Sequence, residues 1–127
     1  MGRMTITRVQ RLSLPVSDQD RAKEFYTGAL GFEVVGDTPV PFAEGARWLE
    51  VAPPGADTSM VLVTWLDMEP GTVGGLMLRS SDLDGDLRRL REAGVRAEGP
   101  VDTPWGRQVT FTDPDGNAFV LEDAGPA

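Results

Sequence analysis

Carboxylates, arginines and tryptophans are the side chains that could carry chemistry here, because the sequence contains neither cysteine nor histidine. Thiolate nucleophiles, thiolate or histidine metal sites and histidine acid–base catalysis are therefore excluded. Two interpretations remain for the glutamates on predicted strands. Glu50 and Glu122 could hold Mg²⁺ or Mn²⁺ through oxygen ligands alone. Alternatively, one of them forms a salt bridge with Arg11, which explains the same residues without a metal.

A small organic molecule is the second kind of partner that these residue types could serve. Ligand sites combine apolar and aromatic walls with a few polar groups, and the candidates are Arg11, Trp48, Glu50, Met60, Leu62, Trp105 and Glu122. Either tryptophan could equally belong to the core. The net charge of −8 favours a cationic ligand if acidic groups line the pocket, although solubility alone also explains that charge.

Charge and hydropathy argue against other partners. The excess of 20 acidic over 12 basic residues opposes binding to a phosphate backbone, so we expect no nucleic acid partner. Apolar stretches have the length of strands rather than the roughly 20 residues of a membrane span, and the chain does not open with a signal-peptide pattern. The sequence therefore predicts a cytoplasmic protein without a membrane partner.

The first half of the chain has the pattern of a strand, a helix and three further strands. Residues 12–16 alternate apolar and polar side chains, as in a half-buried strand. Ser17 or Asp18 can cap the helix that follows, and Gly31 ends it. Residues 32–35 are extended, 36–45 form a loop or broken strand, and a strand pair covers Arg47–Val51 and Ser59–Trp65.

The second half repeats this order. Leu76–Ser80 is a predicted strand, Asp82 caps a helix with an apolar stripe, and Gly94 ends that helix. The two predicted caps lie as far apart as the two helix-ending glycines, to within one residue, which indicates an internal duplication. Residues 100–106 are predicted as a loop before the last two strands.

The duplication predicts an α+β fold of two tandem βαβββ modules. Residues 5–66 form the first module, 67–75 a linker rich in proline and glycine, and 76–123 the second module, all within one domain spanning 1–127. A helix over four strands leaves the other sheet face uncovered. We therefore expect a concave mixed sheet with the helices on its outer face.

A hairpin closes the second module at Thr110–Asp123, which reads TFTDPDGNAFVLED. Asp113 suits the first position of its turn, Pro114 sets φ at the second, and Gly116 can take a positive φ.

These motifs resemble those of a known superfamily. The run LSLPVSDQDRAKEFYTGALGFEVV is similar to the first strand and helix of the vicinal oxygen chelate superfamily, and WGRQVTFTDPDGNAFVLE is similar to its closing hairpin. That superfamily includes glyoxalase I, extradiol dioxygenases and bleomycin resistance proteins. The resemblance covers nearly the whole chain and implies paired βαβββ modules that assemble as a homodimer.

The resemblance also implies where metal ligands would fall. Metal-dependent members use histidines and glutamates on the inner sheet faces, at positions that correspond here to Arg11, a residue near Leu62, Gly75 and Val120. None of these four is a metal ligand. The sequence therefore predicts no metal and no other cofactor.

The leading prediction is metal-independent binding of a small organic molecule, as in the bleomycin resistance branch. The alternative is a lyase or dioxygenase-like enzyme with an atypical divalent metal held by carboxylates. A third interpretation is a filled pocket with a protein-interaction surface.

Overall fold

The computed structural model describes residues 2–123, which form two four-stranded sheets, each with its own helix. The elements of the first module are β1 (Arg11–Pro15), α1 (Gln19–Glu24), a π-helical segment (Phe25–Ala29), β2 (Glu33–Pro39), β3 (Arg47–Ala52) and β4 (Ser59–Val63). Those of the second are β5 (Leu76–Ser80), α2 (Leu83–Glu92), β6 (Ala97–Thr103), β7 (Gly106–Thr112) and β8 (Ala118–Asp123).

Both sheets have the same topology. Their strand orders are β1-β4-β3-β2 and β5-β8-β7-β6, with the first pair parallel and the others antiparallel in each sheet. The predicted α+β fold of two tandem βαβββ modules is confirmed. No helix in the described part of the chain is long and apolar enough to span a membrane.

Both helices begin at the predicted aspartates. The side chain of Asp18 accepts from the backbone N–H of Arg21, and that of Asp82 accepts from the N–H of Gly85. Each carboxylate satisfies a donor that the first helical turn leaves without a partner. Gly31 follows the first helix with φ at +69°, a conformation that glycine adopts without a steric penalty.

Two segments predicted as loops are strands in part. β2 continues through Pro39, and β6 continues through Pro100 to Thr103. Both are edge strands, where proline's missing N–H leaves no ladder partner unsatisfied, and both contain a register shift. Proline therefore marks the sheet edges here rather than the ends of the strands.

The helix-facing sides of both sheets contribute to one hydrophobic core. Leu14 and Leu49 belong to it from the first sheet, and Phe111 and Leu121 belong to it from the second. The Tyr26 ring joins the two halves, with its centroid 6.0 Å from that of Phe119. The opposite faces of both sheets lie outside this core.

A buried polar cluster links the closing hairpin to the first module. Asp113 is 4% exposed, and its Oδ2 accepts from Tyr26 Oη at 2.7 Å and from Asn117 Nδ2 at 2.9 Å. Asn117 Nδ2 also donates to the carbonyl oxygen of Pro15 at 2.9 Å. Burial, reinforced by the charge of Asp113, raises the pKa of Tyr26, so its hydroxyl stays a donor. The turn thus has an inter-module role as well as a local one.

The same asparagine fixes the segment between the modules. Asn117 Oδ1 accepts from the backbone N–H of Gly71 at 3.1 Å and of Val73 at 3.3 Å. Gly71 has φ at +84°, and a Cβ there would collide with the carbonyl oxygen of Asp115. This close approach of two backbones requires glycine at position 71.

Tyr26→Phe should destabilise the protein by about 1–3 kcal/mol, because Asp113 would stay buried with one donor fewer. Urea unfolding at neutral pH measures the change. Thr58→Val is the control, since its hydroxyl donates to the carbonyl oxygen of Val9 at an exposed position, and it should cost less than about 0.5 kcal/mol. Equal losses in the two variants would contradict a special role for the buried cluster.

Candidate ligand-binding site

The open face of the first sheet carries the polar candidates. Arg11 on β1 is paired in register with Ser59 on β4, and Glu50 on β3 is paired with Val61. Because side chains alternate along a strand, Trp48 lies on the same face as Glu50. The adjacent strands β1, β4 and β3 therefore bring Arg11, Trp48 and Glu50 together.

Glu50 is the centre of this group. Its Oε2 accepts from Ser59 Oγ at 2.5 Å and lies 3.6 Å from Arg11 Nε, while its Oε1 accepts from Trp48 Nε1 at 2.9 Å. Of the two partners predicted for Arg11, Glu50 is the one that the structure shows. These contacts orient the carboxylate of Glu50 together with the side chains of Arg11, Trp48 and Ser59.

Glu50 stays ionised although it is only 8% exposed. Burial alone would raise its pKa, but the hydrogen bonds from Ser59 and Trp48 and the charge of Arg11 outweigh burial and lower the pKa below its ordinary value. The charge of Arg11 and the hydrogen bonds from Ser59 and Trp48 thus offset the negative charge of Glu50 within the cluster.

An aromatic row extends from this centre. The Arg11 guanidinium lies 5.6 Å from the Trp48 ring centroid, and the Trp48 ring stacks on Trp65 at 6.3 Å with an interplanar angle of 27°. Phe42 meets Trp65 edge to face at 5.6 Å and is 65% exposed. The row offers flat apolar surface bordered by one cation–π contact, which suits a planar ligand.

Sequence reasoning missed Trp65 and Phe42 as site residues. The alternation of Val61, Val63 and Trp65 was a usable signal, because it placed Trp65 on one face of the predicted strand. β4 itself ends at Val63, and Trp65 follows in an irregular segment. Phe42 lies in a turn whose local sequence contains no sign of this contact.

Met60 and Leu62 are not brought to this surface. Met60 is paired with Val51 across the sheet, and both lie in the core on the helix side. Leu62 is also in the core and is completely buried. They point to the face opposite Glu50, so the structure separates them from the other candidates of the first module.

The remaining candidates lie in the second module. Glu122 on β8 accepts from Gln108 Nε2 at 3.3 Å, on the open face that also carries Val120. Trp105 lies between β6 and β7 and is 78% exposed, so it is not a core residue. No strand pairing joins the two sheets in the described residues, so Glu122 and Glu50 belong to separate faces.

The family's metal-ligand positions do not provide a donor set. Arg11 and Val120 lie on open faces, whereas Leu62 points into the core, and the open-face residue beside it is Val61. Gly75 has no side chain. Within residues 2–123, no group of three or more histidine, cysteine, aspartate or glutamate side chains is placed to hold a metal ion.

Comparison with known proteins gives the family. Residues 8–121 match the model of the Glyoxalase/Bleomycin resistance protein/Dioxygenase superfamily, and the chain belongs to this superfamily. The sequence-based resemblance is thereby confirmed.

Three relatives illustrate the similarity. TnmS3, an antibiotic-binding protein from Streptomyces sp. CB03234, is 51% identical with a TM-score of 0.90, over 97% of this chain and 100% of its own. A glyoxalase/bleomycin resistance protein from the same strain is 52% identical with a TM-score of 0.79, over 88% and 96%. The uncharacterized protein YetH of Bacillus subtilis strain 168 is 33% identical over 93% of this chain and 99% of its own.

Glu50→Gln should reduce the loss of stability in acid. A carboxylate whose pKa is lowered by folding stabilises the native state above its unfolded pKa of about 4.3, and this stabilisation is lost as the pH falls through the lower folded pKa. The free energy of unfolding should therefore fall less in the variant than in the wild type between about pH 7 and pH 3. Urea unfolding at several pH values measures this difference.

Glu24→Gln is the matched control, because Glu24 is an exposed glutamate on α1. It removes the same charge outside the cluster, so the difference between the two variants isolates the contribution of the cluster around Glu50. Parallel profiles for Glu50→Gln and the wild type would show that the cluster does not favour the ionised form of Glu50.

Proposed function

We propose that the protein binds a small, planar organic molecule on the open face of its first sheet, without a metal or other cofactor. The aromatic row of Trp48, Trp65 and Phe42, bordered by Arg11, is the observation that carries this proposal. Stacked rings with exposed flat surface are costly to leave in water and suit an aromatic ligand. The similarity to TnmS3, which is an antibiotic-binding protein, supports an antibiotic-like ligand.

The charges at the site favour a ligand without a strong net charge. Arg11 and Glu50 form an ion pair, and the oxygens of Glu50 already accept from Ser59 and Trp48. The prediction of a cationic ligand is therefore supported only by the net charge of −8, which is a property of the whole chain and not of this site. Arg11, which is more exposed than Glu50, is the polar group available for a direct contact with a carbonyl or hydroxyl oxygen.

A second copy of the chain would complete the site. The two sheets of one chain share a core on their helix sides, so their open faces lie outside it. A homodimer in which the first sheet of one copy faces the second sheet of the other would enclose a ligand between Trp48 and residues such as Met77 and Val120. Met77 is 56% exposed in the single chain, which fits a surface that a partner covers. The cytoplasmic location remains a prediction of the sequence.

Binding can be tested with a panel of planar aromatic and glycopeptide antibiotics, screened by tryptophan fluorescence quenching and thermal shift. For the tightest compound, Trp48→Leu and Arg11→Ala should each weaken binding by about tenfold or more, which corresponds to about 1.4 kcal/mol. Arg88→Ala, at an exposed position of α2, is the control for Arg11→Ala and should bind like the wild type.

Calorimetric titration with Mn²⁺, Ni²⁺, Zn²⁺ and Mg²⁺ separates this proposal from the metal-dependent alternative. We expect no stoichiometric tight binding of any of these ions. Tight one-to-one binding of an ion that the antibiotic then requires would contradict the proposal and favour the carboxylate-metal enzyme.

A further inference from the structure

A cavity of about 500 Å³ lies between the two modules on the helix side of the sheets. Leu78, Phe111 and Leu121 line it from the second sheet, Leu90 from α2, and Phe32 from the residues after the π-helical segment. Leu121 and Phe111 alternate with the open-face residues of their strands, so the cavity is separate from the site proposed above. Its volume is within the range of roughly 300–1,000 Å³ that is typical of small-molecule pockets.

Small residues keep this space open. Gly28 lines the cavity, and a Cβ added there would meet no other atom within 4 Å. Ala29 and Ala93 line it from the two modules with single methyl groups. Longer side chains at these positions are therefore the substitutions that test whether the space can be filled.

Three of the four charged residues of the lining, Asp86, Arg89 and Glu92, form ion pairs. Asp86 Oδ1 accepts from Arg89 at 2.7 Å, and Asp86 Oδ2 accepts from Ser80 Oγ at 2.6 Å. Glu92 lies 4.0 Å from Arg88. Since these charges are compensated within the protein, the cavity favours a neutral ligand over an ion.

We propose that this inter-module cavity is a second ligand site, which takes a neutral and mainly apolar small molecule. Such a molecule would contact the π-helical segment of the first module and the sheet and α2 of the second. It would therefore bind the packed arrangement of the modules more tightly than a separated one, and its binding would raise the unfolding temperature.

The test uses camphor, a neutral, apolar and non-aromatic molecule that has no flat ring to stack on the aromatic row, with the intact chain. The methyl NMR signals of Leu78, Leu90 and Leu121 in the wild type should shift as camphor saturates the cavity. Gly28→Leu should weaken binding at least about tenfold, with Gly28→Ala intermediate, because the added carbons occupy the space that the probe needs. Trp48→Leu, on the open face, should leave this binding unchanged.

Glu24→Leu is the matched control, since it adds a leucine at an exposed position outside the lining. Wild-type affinity in Gly28→Leu, loss of binding in Trp48→Leu, or no shift of the three leucine signals would each overturn the proposal. If Gly28→Leu does not fold, Ala93→Leu applies the same test from the opposite wall. Neither result bears on antibiotic binding at the aromatic row.

Discussion

The buried carboxylate of Asp113 is the constraint on which the arrangement of the two modules depends. Removing a carboxylate from water costs several kcal/mol unless hydrogen bonds replace its hydration. Asp113 obtains these bonds from both modules: from Tyr26 in the first, and from the side chain and backbone of Asn117 in the second. Separating the modules would leave this charge without one of its donors. The cluster therefore favours the packing in which Tyr26 of the first module reaches Asp113 of the second.

This packing determines what the sheets can do. With the helices and the core on one side, each module presents an open sheet face, and the residue types on that face decide its chemistry. The first module presents an Arg11–Glu50 ion pair beside stacked aromatic rings. The superfamily's histidine and glutamate positions are occupied here by residues such as Val120, which cannot bind a metal. We propose that the same architecture serves here to bind an aromatic molecule in place of a metal ion.

The sequence predicted the fold well because its signals are local. Caps at Asp18 and Asp82, the glycines that end the helices and the Asp113 turn each depend on neighbouring residues, and their repetition defined the two modules. Contacts between distant residues were not predictable in this way. Asp113 was assigned to its turn alone, and its bond to Tyr26 depends on the packing of the modules.

The sheet face to which each side chain of β4 points could not be read from the sequence, so the candidate site was only partly predictable. All five residues of β4 are buried, and the strand lies between β1 and β3 in its sheet. Its apolar run therefore contains no difference between an inner and an outer face, and Met60 and Leu62 were as plausible for the pocket as Val61. In β3, where polar Glu50 alternates with Leu49 and Val51, the facing was clear. Trp65 and Phe42 complete the row from irregular segments, which have no periodicity to predict them.

The most direct test of this account asks whether a ligand site forms between the open faces of two copies. Trp48→Leu alters the first sheet, and Val120→Trp obstructs the second, so each variant alone should bind the compound selected by tryptophan quenching at least about tenfold more weakly than the wild type. In the proposed homodimer, the two variants refolded together would form mixed dimers in which one combination of sheets is intact. In an equimolar mixture half of the dimers are mixed, and each mixed dimer has one intact site of two. We therefore expect binding to return at about one quarter of the wild-type stoichiometry. Undiminished binding by either variant alone, or no recovery in mixed dimers verified by sedimentation, would contradict it.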